Sequence, residues 1–491
     1  MNHESSSSPS RPPSLFRNWT SLAGLVVAIG ALFSFFLLFM LDTVAASSNP
    51  YIGLLTYCVV PAFLIGGIFV TLLGAWLEHR KRRRAGAAVP RLQIDLGRAR
   101  DRRILATFVV GSLLFIMLSA VGTYNAYHVT ESVAFCGEVC HQVMKPELTT
   151  HDLGPHARVA CVQCHVGPGA SWFVKSKISG LYQVYATLAD KYPRPIPTPI
   201  KNLRPARETC EQCHWPPAFN GNIDRTFTYF EEDRSNTPFS VRLLLKVGNG
   251  TMTNIPGGGI HWHILAGNTV QYIATDKERQ HIPWVRMIDP EGVVTIFKVP
   301  GFTNDISHYQ IRTMDCIDCH NRPSHRFLSP DTAVNQAMAL ARIDPTIPWI
   351  KTNAVYALTR KYANDEQARD GIATLLTARY PDDPRIRQVI PVVQKIYEDN
   401  FFPEMKTDWR SHTDNIGHMI WPGCFRCHDG NHTTADGRRT IQGNDCNSCH
   451  TILAQGRGAE LNELTPGGQE FKHPGGDYEG LTCSDCHTGG P

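Results

Sequence analysis

Seven times the chain places a pair of cysteines directly before a histidine. Six copies read Cys-x-x-Cys-His. They are Cys161 and Cys164 before His165, Cys210 and Cys213 before His214, and Cys316 and Cys319 before His320. Cys424 and Cys427 precede His428, Cys446 and Cys449 precede His450, and Cys483 and Cys486 precede His487. The first copy in the chain carries one extra residue between its thiols: Cys136 and Cys140 before His141. Two thiols at this spacing can add to the vinyl groups of a haem, and the imidazole that follows becomes an axial ligand of its iron. The motifs use 14 of the 15 cysteines and leave Cys58 in an apolar run. Zinc ribbons also use Cys-x-x-Cys pairs, but they do not require histidine immediately after each pair. A disulfide framework has no use for those histidines either. The spacing therefore points to seven covalently bound c-type haems.

The elements that must carry these motifs begin at a membrane. Three apolar runs, about 21–44, 51–76 and 104–127, each exceed the roughly 20 residues that cross a bilayer as a helix. The first run is too long for the apolar part of a signal peptide and is expected to stay as an anchor. Arg11 and Arg17 precede it, and residues 45–50 contain no Lys or Arg. The loop between the second and third runs carries Arg80, Lys81, Arg82, Arg83, Arg84, Arg91, Arg98, Arg100, Arg102 and Arg103. Positive-inside orientation puts the N-terminus and this loop in the cytoplasm and every haem motif in the periplasm of a bacterial inner membrane. The runs hold no histidine and no central charged residue, which argues against haem or an ion path inside the bilayer. A formal net charge of +4, with no basic stripe among the motifs, gives no reason to expect nucleic acid as a partner.

The expected order is a cytoplasmic tail (1–20), a three-helix anchor with a basic loop (21–130), and a domain for haems one to three (131–220). A β-rich insertion with haem four (221–330), a helical segment (331–410) and a domain for haems five to seven (411–491) follow. Residues 170–192 read as an amphipathic helix that suits either a core or a membrane surface. The alternating prolines Pro193, Pro195, Pro197 and Pro199 end it. Residues 282–288 and 293–299 flank Asp289-Pro-Glu-Gly292, a hairpin signal. Further strands are expected at 241–247 and 269–274, and helices at 332–341, 354–361, 365–379 and 385–400. The last 90 residues show little periodicity, as expected where haems form the interior.

An electron-carrying haem takes a second protein ligand, whereas a catalytic one keeps a face open. The candidates by position are His156, His325, His418, His432, His473, and either His263 or its neighbour His261. That supplies six distal histidines for six ordinary motifs. Met144, in Cys-His-Gln-Val-Met, is the candidate for the first haem; methionine raises the potential relative to two histidines.

Three stretches, FCGEVCHQVM (135–144), GPHARVACVQCH (154–165) and RPARETCEQCH (204–214), resemble the NapC/NirT/NrfH quinol dehydrogenases. The whole chain is similar in pattern to the inner-membrane heptahaem cytochromes of metal-respiring bacteria. The resemblance implies a membrane-anchored multihaem cytochrome c: three N-terminal transmembrane helices, then a haem-packed, mainly α and irregular periplasmic domain with a small β insertion. It implies oxidation of quinol, menaquinol above all, drawn from the membrane pool. Electrons would pass to periplasmic cytochromes or other redox acceptors in anaerobic or extracellular respiration. Met144 would ligate the first haem, and Lys175 or Lys177 would contact the quinol. The family's acidic residue before a helix glycine is Ser179 here, which leaves His128, Glu131 and Glu138 as alternatives for proton acceptor. The alternatives to this function are a passive haem-wire subunit of a larger respiratory complex and a terminal reductase with one open haem. A homo-oligomer is the other assembly considered.

Overall fold

The computed structural model describes residues 15–16, 18–44, 59–85, 95–139, 141–167, 170–200, 203–248, 259–264, 267–303, 305–443, 446–476 and 481–490. Cys58 and Cys140 lie outside them. The chain divides into two units. One comprises Met1–Phe135 and Cys161–Tyr182, and the other Cys136–Ala160 and Gln183–Pro491. The stretch 131–220, expected as one haem domain, is thus shared between the units.

The first unit is built on three helices, α1 (Trp19–Val44), α2 (Val60–Ala85) and α3 (Ala99–Thr130). Asn18 caps α1 by accepting a hydrogen bond from the Ser21 amide at 2.8 Å. Helices α1 and α2 meet along a seam of small residues: Ser21, Gly24 and Ala28 on one, Gly67, Thr71 and Gly74 on the other. A Cβ added to Gly24 would stand 2.4 Å from the Thr71 nitrogen, and one on Gly67 would stand 2.6 Å from the Ala28 nitrogen. The Ser21 hydroxyl donates across the seam to the Thr71 carbonyl at 3.0 Å. Large apolar side chains such as Phe33, Ile65 and Phe69 point outward and are exposed. Small residues inside and large apolar residues outside is the arrangement of helices packed in lipid. Among the described residues, two helices are long and apolar enough to cross a membrane, within 19–36 and 60–81, where the sequence led us to expect three. The third apolar run lies on α3, which is helical for 32 residues.

The second unit carries α4 (His141–Leu153), two antiparallel sheets and a bundle of helices. One sheet has the order β1-β2-β7, with β1 (Ile223–Phe230), β2 (Pro238–Leu245) and β7 (His450–Gly456). The other runs β5-β4-β3-β6, with β3 (Thr269–Ile273), β4 (Trp284–Ile288), β5 (Val294–Lys298) and β6 (Arg312–Thr313). The expected hairpin is β4–β5: Gly292 turns at φ +82°, and the Asp289 carboxylate accepts from the Val293 amide at 2.8 Å. Strand β7 was not foreseen. Its burial shows no alternation, and it pairs with β2, about two hundred residues earlier. That pairing crosses the boundary drawn at residue 410.

The main apolar core lies at 330–409, a stretch without a haem motif. Helices Pro330–Ala339, Ile350–Leu358, Asp365–Arg379 and Ile386–Asn400 bury Val334, Ile350, Leu358, Ile372, Leu376 and Val393. Two buried polar groups tie the first sheet to this core. The Asn236 amide, in the β1–β2 turn, donates to the carbonyls of Pro345 (2.9 Å) and Ile347 (2.8 Å) and accepts from the Lys351 amide at 3.0 Å. The buried Lys351 ammonium pairs with Asp331 at 2.8 Å and donates to the Phe230 carbonyl.

A bulky residue in the α1–α2 seam has nowhere to go. Gly24→Leu or Gly67→Leu should force the helices apart and lower stability by about 1–3 kcal/mol. Melting of the detergent-solubilised protein checks this, with Gly30→Leu, at an open position, as the control.

Candidate haem and quinol sites

Most motifs fold into a single helical turn, Cys161–His165, Cys316–Cys319, Cys483–Cys486 and the tighter turns Gly423–Arg426 and Cys446–Ser448 among them. One turn brings cysteines three residues apart to the same face. The turn at Cys316 is fastened by a reciprocal cap: Asp315 accepts from the Cys316 amide at 2.6 Å, and Asp318 accepts from the Asp315 amide at 2.8 Å. Where the first motif carries its extra residue, the chain forms a π-helical turn, Phe135–Val139. Its wider winding accommodates five residues where an ordinary turn takes four. A Cβ at Gly137 would stand 2.7 Å from the end of the Leu148 side chain, which would have to shift to admit it.

None of the described motif cysteines is in a disulfide. That includes the second thiol of the second, third and sixth motifs: Cys164 and Cys449 are half-buried, and Cys213 is exposed. In the third motif the Cys213 amide donates to the Cys210 carbonyl at 3.1 Å, and in the sixth the Cys449 amide donates to Cys446 at 3.3 Å. These bonds close the turn between the two thiols of each pair.

Five motif histidines face a second imidazole at nearly one separation. Ring centres are 6.0 Å apart for His214 and His156, and 6.2 Å for His320 and His261. They are 5.9 Å apart for His428 and His263, 6.2 Å for His450 and His418, and 6.0 Å for His487 and His473. The rings of His261 and His320 are within 5° of parallel, yet too far apart to stack. Two imidazoles bound to opposite sides of one metal ion, each at about 2 Å, have centres about 6.3 Å apart. Among the described residues no three or more His, Cys, Asp or Glu side chains gather around one point. Two protein ligands per centre suit a haem, whose macrocycle supplies the other four, and do not suit zinc.

The ring nitrogens are oriented for the same purpose. Nδ1 of His156 donates to the Pro323 carbonyl at 3.1 Å, that of His263 to Ile260 at 2.8 Å, and that of His428 to Gln442 at 3.2 Å. His261 donates from Nδ1 to the Val247 carbonyl. Because a carbonyl can only accept, the proton sits on Nδ1 and Nε2 keeps its lone pair. Burial holds His263, His320, His418, His428, His450 and His487 below the usual imidazole range, which keeps them neutral, as metal binding requires.

Other expected ligands lie differently. His432 is fully buried, but Nδ1 bonds Asp429 at 2.8 Å and Nε2 donates to the Ile282 carbonyl at 2.7 Å. Both ring nitrogens of His432 are thus engaged within the protein. His325 lies 6.4 Å from His151 and donates to the Glu147 carbonyl at 3.0 Å. The sequence reading treated His261 and His263 as alternatives; the structure sets them against two different motif histidines. Met144 is half-buried on α4, three residues after His141, whose side chain is outside the described residues. His165 lies in the first unit. His128 is exposed near the end of α3, Glu131 is half-buried just beyond it, and Glu138 is exposed in the π turn. The Lys175 ammonium sits 4.5 Å from the Trp172 ring centre. The side chain of Lys177 is outside the described residues.

A buried polar group missed from the sequence surrounds Arg322. Burial pushes the Arg322 guanidinium down to about 10 and raises Glu147, with each drawing the other back toward its charged form. Burial, then the charge of Arg322, pushes His412 down to about 4. Glu147 Oε2, Arg322 Nη2 and His412 Nε2 are buried with no hydrogen-bond partner.

Covalent-attachment motifs, opposed imidazoles and apolar N-terminal helices together define a membrane-anchored multihaem cytochrome c. The family model for the N-terminal region of the NapC/NirT cytochrome c family matches residues 98–195. The cytochrome c-type protein ImcH of Geobacter sulfurreducens is 40% identical over 490 residues, covering 96% of this chain and 95% of that protein. The chain belongs to the NapC/NirT cytochrome c family. No solved structure matches it.

His412 supplies a pH test. Its folded pKa lies below the ordinary 6.5, so the folded state resists protonation and loses stability as pH falls from about 6.5 to about 4. In His412→Asn that loss should be smaller, by up to about 3 kcal/mol. Denaturant melts at pH 7 and pH 4 measure the difference.

Proposed function

We propose that the protein is an inner-membrane quinol dehydrogenase that passes electrons through seven c-type haems to periplasmic acceptors. The observation that carries this reading is the set of five opposed imidazole pairs, which gives each of those motif histidines a second ligand across a haem-sized gap. Two imidazoles close both axial positions, which favours electron transfer over a terminal reductase with an open haem. Each haem, when bound, accepts and releases one electron.

Helix α3 is the third crossing. Its 32 residues span about 48 Å, more than the roughly 30 Å hydrocarbon layer. The arginines at its start remain in the cytoplasm, and the chain emerges on the periplasmic side. The helix Ala170–Leu188 lies on the outer membrane–water boundary. Ile178, Leu181, Tyr182, Tyr185 and Leu188 recur at helical spacing and are exposed, Leu188 at 84%, whereas a core helix would bury them. Lys175 at the start of that helix, or Lys177, orients the quinol, and the proton acceptor is one of His128, Glu131 and Glu138. Met144 is the second ligand of the first haem. Menaquinol is the substrate, and its two protons and two electrons all leave on the periplasmic side.

Purified protein in liposomes, given a menaquinol analogue and an external acceptor, should turn over without generating a membrane potential; a sustained potential would refute the assignment of sidedness. Lys175→Ala and Met144→Ala should each slow quinol-driven haem reduction by about tenfold or more, with reduction by dithionite unchanged. Unaltered quinol kinetics in both variants would remove these residues from the site.

A further inference from the structure

His261 and His263 are two residues apart on one short turn, Ile260–Ile264, yet they face the motif histidines of two different haems. We propose that this turn clamps the fourth and fifth haems together as neighbours, and that haems three to seven stand in motif order along one line. The inference rests on the haem-wire reading above and adds to it the order of the carriers.

Each link has its own support. A motif thiol becomes a thioether on the rim of its haem, so thiols from two motifs that touch bring two rims together. Cys210 of the third motif and Cys316 of the fourth are within hydrogen-bonding reach, and their two short helices, Ala206–Cys210 and Cys316–Cys319, pack against each other. Arg426, inside the fifth motif, donates to the carbonyl of Asp318, inside the fourth, at 2.7 Å. That places the fourth and fifth haem rims side by side, independently of the His261–His263 turn. The fifth and sixth are joined by His418. Its ring faces His450 of the sixth motif and stacks on Phe425, inside the fifth motif, with centres 4.3 Å apart. The sixth and seventh are joined through β7, which begins at His450 and whose Gln455 side chain accepts from the Lys472 amide at 3.0 Å, next to His473, the imidazole that faces His487.

The turn itself is built to aim two ligands apart. Nδ1 of His261 is held by the Val247 carbonyl and Nδ1 of His263 by the Ile260 carbonyl, so the two Nε2 atoms are set by separate anchors. Trp262, between them, packs against the apolar cluster of Val270, Tyr272 and Val285 on the second sheet. The clamp therefore hangs on a strand framework.

The test uses the haem-loaded full-length protein and the substitutions His261→Met, His263→Met and the double variant. Electron paramagnetic resonance of the ferric protein should show one bis-histidine haem lost in each single variant and two in the double. A double variant that loses one or none would overturn the clamp. If a methionine variant fails to retain seven haems, His261→Gly and His263→Gly, supplied with free imidazole, replace it; imidazole should restore one bis-histidine signal in each, and no response would overturn the clamp. The order is read from quinol-driven reduction. A methionine ligand raises the potential of the fourth haem and makes it a trap, so His261→Met should cut the fast phase from seven haems to about four, whereas His473→Met, at the end of the line, should leave all seven in it. A fast phase in His261→Met that still includes the fifth to seventh haems would overturn the line. If quinol does not reduce the wild type at all, the dehydrogenase reading falls, and the order is judged from iron-to-iron neighbours in the structure of the haem-loaded protein.

Discussion

The constraint on which the rest of the second unit depends is the orientation of an imidazole by a carbonyl. Iron binds a neutral ring through a nitrogen lone pair. At His156, His261, His263 and His428 a backbone carbonyl accepts from Nδ1, which leaves the Nε2 lone pair available to a metal. Burial discourages protonation at two of these sites, His263 and His428. The anchors come from loops, a short turn and a proline carbonyl. Each loop must therefore be held to a fraction of an ångström by something more rigid.

That rigidity comes from a part of the chain with no haem motif. The helices between 330 and 400 form the largest apolar core, and Asn236 and Lys351 attach the β1-β2-β7 sheet to it through buried hydrogen bonds. Breaking either attachment would leave a buried polar group unsatisfied, which costs more than the bond itself contributes. The second sheet plays a similar part for the turn that carries His261 and His263. Its small core buries Tyr272, whose hydroxyl donates to Asp318 at 2.6 Å, inside the fourth motif. Haem attachment and protein core are thus fastened to each other directly.

In the first unit packing is reversed. Water would drive Phe33, Ile65 and Phe69 inward, but here they are outside and glycine, serine and threonine form the seam. In lipid the apolar side chains have no reason to hide, and close backbone approach becomes the source of attraction.

The motifs, the apolar runs, the Asp289–Gly292 hairpin and the helix Asp365–Arg379 were legible because each is a local pattern of a few to a few tens of residues. So was the oddity of the first motif, which the structure turns into a π-helical turn. The sequence by itself determined the attachment chemistry, since that depends only on thiols and histidine at fixed spacing. Which histidine faces which was decided only by the tertiary structure. His156 stands before the second motif but faces the third, His418 precedes the fifth but faces the sixth, and His432, the most local candidate, has both nitrogens bound elsewhere. Strand β7 was hidden for the same reason. A second ligand or a strand partner is chosen by distance in space, which spacing along the chain does not specify.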